Sequence, residues 1–205
     1  RLESGIMNPF SDIKIVSETL GTARIDGRSG MGQPISKFSM QLAMKKAQNV
    51  GAGFVTVFNS NHYGIAGYYA MMALDKDMIG ISMTNANPLV APTFSVSRLL
   101  GTNPVAVAIP AGEKDPFVAD FSTTPIARGK LAVAARQGNK VPFGYVQDKD
   151  GTASDEPDIL KEGGSMLTLG GDYEHGSHKG YCMSAVVDIF SALLSGANFG
   201  PFVPP

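Results

Sequence analysis

The order of hydrophobic and polar positions predicts alternating strands and helices along the chain. β-type runs occur at residues 13–19, 22–26, 54–58, 78–84, 105–109 and 117–121. The first two favour a hairpin around Leu20 and Gly21. Apolar residues at helical spacing predict four helices, at residues 36–50, 65–74, 125–137 and 179–194. This mixture is typical of an α/β protein with a mixed sheet and flanking helices.

Local signals refine these boundaries. Ser36 is a candidate cap for the first helix and Pro125, preceded by Ser and Thr, a candidate start for the third. The run at 54–58 reads as a buried strand, and together with residues 59–84 it predicts a strand, loop, helix, strand unit. Residues 85–104 form a connection long enough to be functional.

Composition excludes several classes of protein. Of the 205 residues, 43% are apolar and 17% charged, yet no run reaches the roughly 18 to 20 apolar residues of a membrane span. The net charge of -1 and the scattered basic residues argue against nucleic-acid binding. Cys182 is the single cysteine, so no intrachain disulfide is possible and we expect a cytoplasmic location. The first and last residues suggest a piece of a longer chain.

The glycine pattern speaks against the common nucleotide-binding folds. A dinucleotide fingerprint needs glycines after a strand, so that a helix N-terminus can reach the pyrophosphate. Gly51 and Gly53 precede a strand instead, and Gly30 and Gly32 have no third glycine in register. A P-loop pattern is absent from the sequence as well. We therefore expect neither a Rossmann fold nor a P-loop.

The strongest candidate for catalysis is His62 within the polar stretch NSNHYG at residues 59–64. The stretch follows an apolar strand, and ligand crevices of open α/β sheets lie at such strand ends. An imidazole there suits a general acid or base that works near neutral pH. The alternative is a polar capping loop that carries a surface histidine.

Two further segments are candidate anion sites. Asp120, Phe121 and Ser122 lead from a strand towards a helix start, where hydroxyls and free N–H groups can hold a phosphate or ribose. An ordinary helix cap with a buried aspartate explains the same pattern. His178, Lys179 and Gly180 begin the last helix and add positive potential there. His175, His178 and Cys182 lack a convincing fourth ligand, so we expect no metal.

Seven segments resemble, in the same order, the malate/L-lactate dehydrogenase family, which also includes ureidoglycolate and sulfolactate dehydrogenases. They are NSNHYGIAGYY (59–69), TNANPLVAP (84–92), LGTNPVAVAIP (100–110), DFSTTPIARGK (120–130), VPFGYVQDKDG (141–151), LGGDYEHGSHKGY (169–181) and LSGANFGPFVPP (194–205). The resemblance covers almost the whole chain. It implies that residues 1–205 are the central catalytic and cofactor-binding region of a non-Rossmann dehydrogenase domain, truncated at both ends.

The resemblance also implies an activity and roles for single residues. A 2-hydroxyacid is oxidised to a 2-oxoacid with NAD or NADP, usually by a homodimer, and His62 is the acid/base. Asn61 and Asn103 are candidates for holding the substrate or polarising its carbonyl. The expected cofactor contacts are Asn85, Ala86, Asp120, Phe121, Ser122, His178, Lys179 and Gly180.

Some features depart from the family pattern. The family's N-terminal segment carries a Ser-His pair and a basic residue for the substrate carboxylate, and this chain lacks it. Ala86 replaces a serine of several relatives, and residues 172–177 look like a local insertion. The choice between NAD and NADP and the identity of the substrate therefore stay open. The alternative function is a non-catalytic paralogue that binds a small ligand or nucleotide.

Overall fold

A computed structural model of the chain describes residues 3, 5–10 and 12–204. These residues form two compact units. The first holds the residues up to Met83 together with Val105–Asp120 and Phe190–Ala197. The second holds Thr84–Pro104, Phe121–Ile189 and the residues from Asn198 onward. The mixed α/β class with flanking helices is confirmed, but the strands are divided among three separate three-stranded sheets.

The first sheet contains β1 (Lys14–Glu18), β2 (Thr22–Gly30) and β3 (Phe54–Ser60). β1 and β2 pair antiparallel, which confirms the predicted hairpin, and β2 and β3 pair parallel. Helix α1 (Gly32–Val50) makes the crossover between these parallel strands.

The predicted end of α1 is right and its predicted start is wrong. The helix ends at Gly51, whose left-handed φ of 89° suits glycine. It begins before Ser36, with Met31 at the cap position and no side-chain cap. The expectation of a buried β3 is also wrong, because its residues are half-buried or exposed and Phe54 keeps 46% of its surface accessible.

The second sheet of the first unit contains β4 (Gly80–Met83), β5 (Val105–Ala111) and β6 (Lys114–Phe121), in that spatial order. Helix α2 (Ala66–Met71), extended by a 3₁₀ turn (Met72–Lys76), precedes β4. The predicted order of strand, loop, helix and strand is confirmed, and its two strands belong to different sheets. Alanines shared by α2 and β5 form a small core, made of Ala66, Ala70, Ala106 and Ala108.

The second unit has helices α3 (Arg128–Gln137) and α4 (Ser177–Asp188) and a small antiparallel sheet. The sheet consists of β7 (Val146–Gln147), β8 (Ala153–Ser154) and β9 (Ser165–Met166). Its apolar core consists of Val90, Leu100, Ile126, Leu131, Val141, Val146, Ile159 and Met166. Short 3₁₀ turns lie at Ile159–Glu162 and Gly200–Phe202, and α4 continues into a π-helical stretch, Ile189–Leu193.

The start of the third helix and the connection 85–104 both lie in this unit, and the sequence predicts the second correctly but not the first. The third helix starts at Arg128 with Ala127 as its cap residue, so Pro125 and the preceding hydroxyl residues lie outside it. The connection 85–104 contains no named strand, as expected, but its backbone is tied down where Val90 pairs with Leu100 and with Met166. Among the described residues, no helix has the length and apolarity needed to cross a membrane.

The close packing of α2 on β4 gives a stability prediction. A Cβ added at Gly80 would overlap the Ala70 carbonyl and the side chain of Ala73, so Gly80→Ala forces backbone to move. We expect a loss of roughly 1–3 kcal/mol in the free energy of unfolding, measured by urea denaturation.

Gly129→Ala in α3 is the control, because nothing lies within 4 Å of its added Cβ. It should be neutral or stabilise by up to about 1 kcal/mol. Equal stability of the Gly80→Ala variant and the unmodified protein would refute the tight contact.

Candidate active site

His62 lies in the loop that follows the last residue of β3, as the sequence predicts. Its side chain is exposed, and ring atom Nδ1 accepts a hydrogen bond of 3.1 Å from the N–H of Gly64. Because this donor occupies the Nδ1 lone pair, the neutral ring carries its hydrogen on Nε2.

Asn61, the residue before His62, is hydrogen-bonded to the end of β2. Asn61 donates both hydrogens of its amide, to the carbonyls of Ser29 at 2.9 Å and Gly30 at 3.0 Å. Gly32, at the start of α1, lies against the carbonyls of Asn61 and His62 so closely that a Cβ would overlap them. Because both amide hydrogens of Asn61 are donated to β2, its side-chain oxygen is the group that it can offer to a ligand.

Backbone strain is concentrated beside this loop. Arg28, Ser29 and Asn59 have positive φ angles of 51°, 57° and 52°, in the left-handed region that favours glycine. Asp26 supports the turn by accepting from the N–H of Arg28 at 2.9 Å and from the side chain of Asn59 at 3.0 Å. The Arg28 N–H is also the main reason that the pKa of Asp26 is lowered. Strain held in place by surrounding contacts is common at functional sites.

Tyr63 and Tyr69 fix the other side of His62. Their rings stack with centroids 5.0 Å apart and planes 7° from parallel. The Tyr69 hydroxyl donates to the carbonyl of Tyr63 at 2.5 Å, so α2 holds the residue directly after His62. Burial raises the pKa of Tyr63 to about 12; a weak contact with Ser82 opposes this and the charge of Asp120 adds to it.

Asp120 acts as a helix cap, but for a helix distant in sequence. Its Oδ2 accepts from the N–H of Gly67 in the first turn of α2 at 2.7 Å, where Ile65 offers no side-chain cap. A Cβ at Gly67 would come within 2.7 Å of the same oxygen. Asp120 is nevertheless exposed, so its second oxygen is available to a ligand.

In the second unit, Asn103 organises the loop 85–104. It is completely buried, accepts from the N–H of Ala86 at 3.0 Å and donates to the carbonyl of Ser184 in α4 at 3.0 Å. Asn85 donates to Asp188 at 3.1 Å and to the carbonyl of Asn198 at 3.0 Å. These amides are engaged within the protein, and both fix the loop.

Hydroxyl groups connect the residues after β6. Ser122 donates to the carbonyl of Thr124 at 2.9 Å, and Thr124 contacts both the Ser122 hydroxyl and the carbonyl of Ile126. Phe121 keeps 41% of its surface exposed. This segment is ordered by its own hydrogen bonds, although it does not begin the helix that the sequence predicts.

The N-terminus of α4 carries the third group of candidates. Lys179 is exposed in its first turn, which contains no acidic residue. Gly180 is buried and packs so closely against the backbone of Leu169 that an added Cβ would overlap it. Within the described part of the chain, the Nδ1 atom of His178 is buried and has no hydrogen-bond partner. The lysine and the helix dipole together favour an anion.

The candidates therefore form two groups. His62, Asn61 and Asp120 belong to the first unit, and the remaining candidates, from Asn85 to Gly180, belong to the second. Sequence reasoning missed Gly32 and Tyr69, which position His62. The adjacent tyrosines at 68 and 69 were a visible signal for the latter. Among the described residues no cluster of three or more His, Cys, Asp or Glu suits a metal ion.

The chain matches a family model described as malate/L-lactate dehydrogenase over residues 1–205. It is 47% identical over 201 residues to a malate dehydrogenase of Pyrococcus horikoshii, which covers 98% of this chain and 56% of that protein. It is 45% identical over 199 residues to an L-sulfolactate dehydrogenase of Methanocaldococcus jannaschii, with 97% and 55% covered. The chain thus spans little more than half the length of these curated relatives.

Solved structures show the same likeness. The malate dehydrogenase of Entamoeba histolytica superposes with a TM-score of 0.93 at 38% identity, covering 98% of this chain and 57% of that one. The sulfolactate dehydrogenase of Methanocaldococcus jannaschii gives 0.88 at 44% identity, covering 99% and 56%. Both agreements extend over nearly the whole chain.

The buried hydroxyl of Tyr63 predicts a loss of stability at alkaline pH. Because its pKa of about 12 in the folded chain exceeds the ordinary value of 10.0, burial of the neutral form is fully tolerated below pH 10. As pH rises from 10 towards 12, Tyr63 ionises in the unfolded chain but stays neutral in the folded chain. The free energy of unfolding should therefore fall by roughly 2–3 kcal/mol over this range.

Urea denaturation at pH 8 and at several values between 10 and 12 measures this loss. Tyr63→Phe keeps the stacked ring without the ionisable hydroxyl, so its stability should fall less over the same range. Parallel curves for the two proteins would remove Tyr63 as the cause.

Proposed function

Because the chain belongs to the malate/L-lactate dehydrogenase family, we propose that it is the central catalytic and cofactor-binding region of a nicotinamide-dependent 2-hydroxyacid dehydrogenase. The reaction interconverts a small 2-hydroxyacid and its 2-oxoacid, such as malate and oxaloacetate or lactate and pyruvate. The position and fixation of His62 are the observation that carries this proposal. The end of β2, Gly32 and a stacked tyrosine pair fix the backbone on either side of this exposed imidazole.

His62 handles the proton in the proposed reaction. During oxidation Nε2 accepts the proton of the substrate hydroxyl, and during reduction the protonated ring returns it to the carbonyl oxygen. The Gly64 N–H now points at Nδ1, so the neutral ring must move its hydrogen to Nδ1 before Nε2 can accept. The left-handed φ of 87° at Gly64 places the flexible residue type at the point where this contact must open.

The donor set at the start of α4 fits a dinucleotide. The bound nicotinamide supplies the site that exchanges hydride with the substrate. Lys179 and the N-terminus of α4 would neutralise the pyrophosphate, and the Nδ1 of His178, which has no hydrogen-bond partner in the described part of the chain, is a further polar group in the same turn. As the family resemblance implies, Asp120, Phe121 and Ser122 are further expected contacts of the cofactor. The carboxylate oxygen of Asp120 that is not bonded to Gly67 has the chemistry to accept a hydrogen bond from a ribose hydroxyl.

The remaining candidates orient these groups. Asn103 and Asn85 hold the loop that presents the backbone of Ala86 to the cofactor. The Asn61 oxygen can accept from the substrate, since its amide hydrogens are already donated to β2. Homodimer formation and the use of NAD or of NADP belong to the proposal as family expectations. A cytoplasmic location belongs to it as the expectation from the single cysteine.

Replacing His62 with Gln tests the catalytic assignment in the complete natural protein. Glutamine keeps much of the size and some hydrogen bonding but cannot titrate, so kcat should fall about 10²- to 10⁴-fold while cofactor affinity stays within a factor of two or so. Steady-state NADH or NADPH absorbance with a panel of 2-oxoacids gives kcat, and fluorescence titration gives the affinity.

His175→Gln is the matched control, because this exposed histidine pairs only with Asp172 among the described residues. It should leave kcat unchanged. Near-normal kcat in the His62→Gln variant, or lower melting temperature as its single defect, would mean that His62 is structural.

Replacing Lys179 with Ala tests the anion site. Loss of a charge-assisted contact should weaken NADH or NADPH binding about 10- to 150-fold, as measured by fluorescence titration. Lys149→Ala, which removes another exposed lysine of the same unit, should leave the affinity unchanged. Equal affinities of the Lys179→Ala and unmodified proteins would exclude Lys179 from the site.

A further inference from the structure

Three aromatic rings form a ladder on the surface of the second unit. Phe94 and Tyr173 have ring centroids 5.2 Å apart, and Tyr173 and His178 have centroids 5.0 Å apart. We call these three residues the aromatic ladder. His178 is its inner member, whereas Tyr173 is 51% and Phe94 86% exposed. Phe94 comes from the loop 85–104, and Tyr173 comes from the stretch that departs from the family pattern.

Phe94 occupies an unfavourable position for folding alone. Its φ of 66° lies in the left-handed region, where a bulky side chain costs roughly 1–2 kcal/mol. With 86% of its surface exposed, the ring recovers little of that cost through burial. An exposed aromatic ring held in a strained conformation is a reasonable site for a ligand.

The ladder adjoins the start of α4. Thr93, next to Phe94, shares a hydrogen bond of 2.9 Å between its hydroxyl and that of Ser177, the first residue of the helix. His178 and Lys179 follow in the same turn. The planes of neighbouring rings are tilted by 33° and 39° against each other. Exposed aromatic rings and a positively charged helix end therefore lie side by side within one unit.

We infer that the aromatic ladder stacks the adenine ring of the dinucleotide whose pyrophosphate lies at Lys179, an assignment that rests on the proposed function. A purine ring stacks on aromatic side chains irrespective of its hydrogen-bonding groups. The other ring of the cofactor fits less well, because a reacting nicotinamide needs a site that excludes water, and Phe94 faces solvent. Adenine takes no part in the chemistry and tolerates an open surface.

The test compares Phe94→Asn with the unmodified protein in its complete natural form. Asparagine adopts the left-handed conformation more readily than phenylalanine, so the melting temperature should stay the same or rise. NADH or NADPH affinity, whichever the unmodified protein binds, should nevertheless fall about 5- to 150-fold. ADP-ribose, which keeps the adenine half and lacks nicotinamide, should lose affinity by the same factor in a displacement titration.

Two further variants sharpen the comparison. Tyr173→Leu removes the middle ring and should weaken both ligands, whereas Tyr173→Phe keeps the ring and should weaken neither. Phe143→Asn, at a phenylalanine that is 73% exposed in the same unit, is the matched control and should change neither affinity.

The outcomes distinguish a failure of cofactor binding from a failure of adenine stacking. Failure of the unmodified protein to bind NADH and NADPH would overturn the proposed function and this inference together. Normal binding in the unmodified protein with equal affinity in Phe94→Asn and Tyr173→Leu would overturn the stacking alone. Weaker NADH or NADPH binding with unchanged ADP-ribose binding would place nicotinamide on the ladder and overturn the adenine assignment. A lower melting temperature in Phe94→Asn with unchanged affinity would make the ladder structural.

Discussion

The contact between Gly32 and the carbonyls of Asn61 and His62 is the constraint on which the first candidate group depends. At this point the start of α1 approaches the loop after β3 so closely that even a methyl group would not fit. The two amide hydrogen bonds from Asn61 to the end of β2 act in the same place. Close backbone packing and side-chain hydrogen bonds together restrict the backbone of His62 to a narrow range of positions, which suits the proton-transfer role that we propose.

A second chain of contacts reaches His62 from the other direction. Asp120 caps α2 through Gly67, α2 carries Tyr69, and Tyr69 holds the carbonyl and ring of Tyr63. An aspartate on β6 thus influences the neighbour of His62 without touching the histidine itself. This arrangement gives Asp120 a structural role in addition to the proposed contact with ribose, which is compatible because a carboxylate has two oxygens.

In the second unit, the long loop 85–104 has little regular backbone pairing and is held mainly by other contacts. The buried amide of Asn103 replaces a strand partner by bonding one peptide N–H and one carbonyl. Leaving either of those groups buried and unpaired would cost roughly 1–3 kcal/mol. The dinucleotide site that we propose at the start of α4 and on this loop needs no glycine fingerprint of a Rossmann fold.

The sequence by itself determined the mixed α/β class, the hairpin before α1, the end of that helix at Gly51 and the candidacy of His62. Each follows from local rules of periodicity, turn chemistry or position after a strand. The start of α1 was missed because Met31 offers no side-chain cap, and Arg128 replaced Pro125 as the start of α3 because the hydroxyl residues bond to one another instead.

Only the tertiary structure decided which strands share a sheet, which helix Asp120 caps, and that Phe94 lies beside Tyr173. These partners are far apart in the sequence, and local preferences carry no information about which distant groups packing brings into contact.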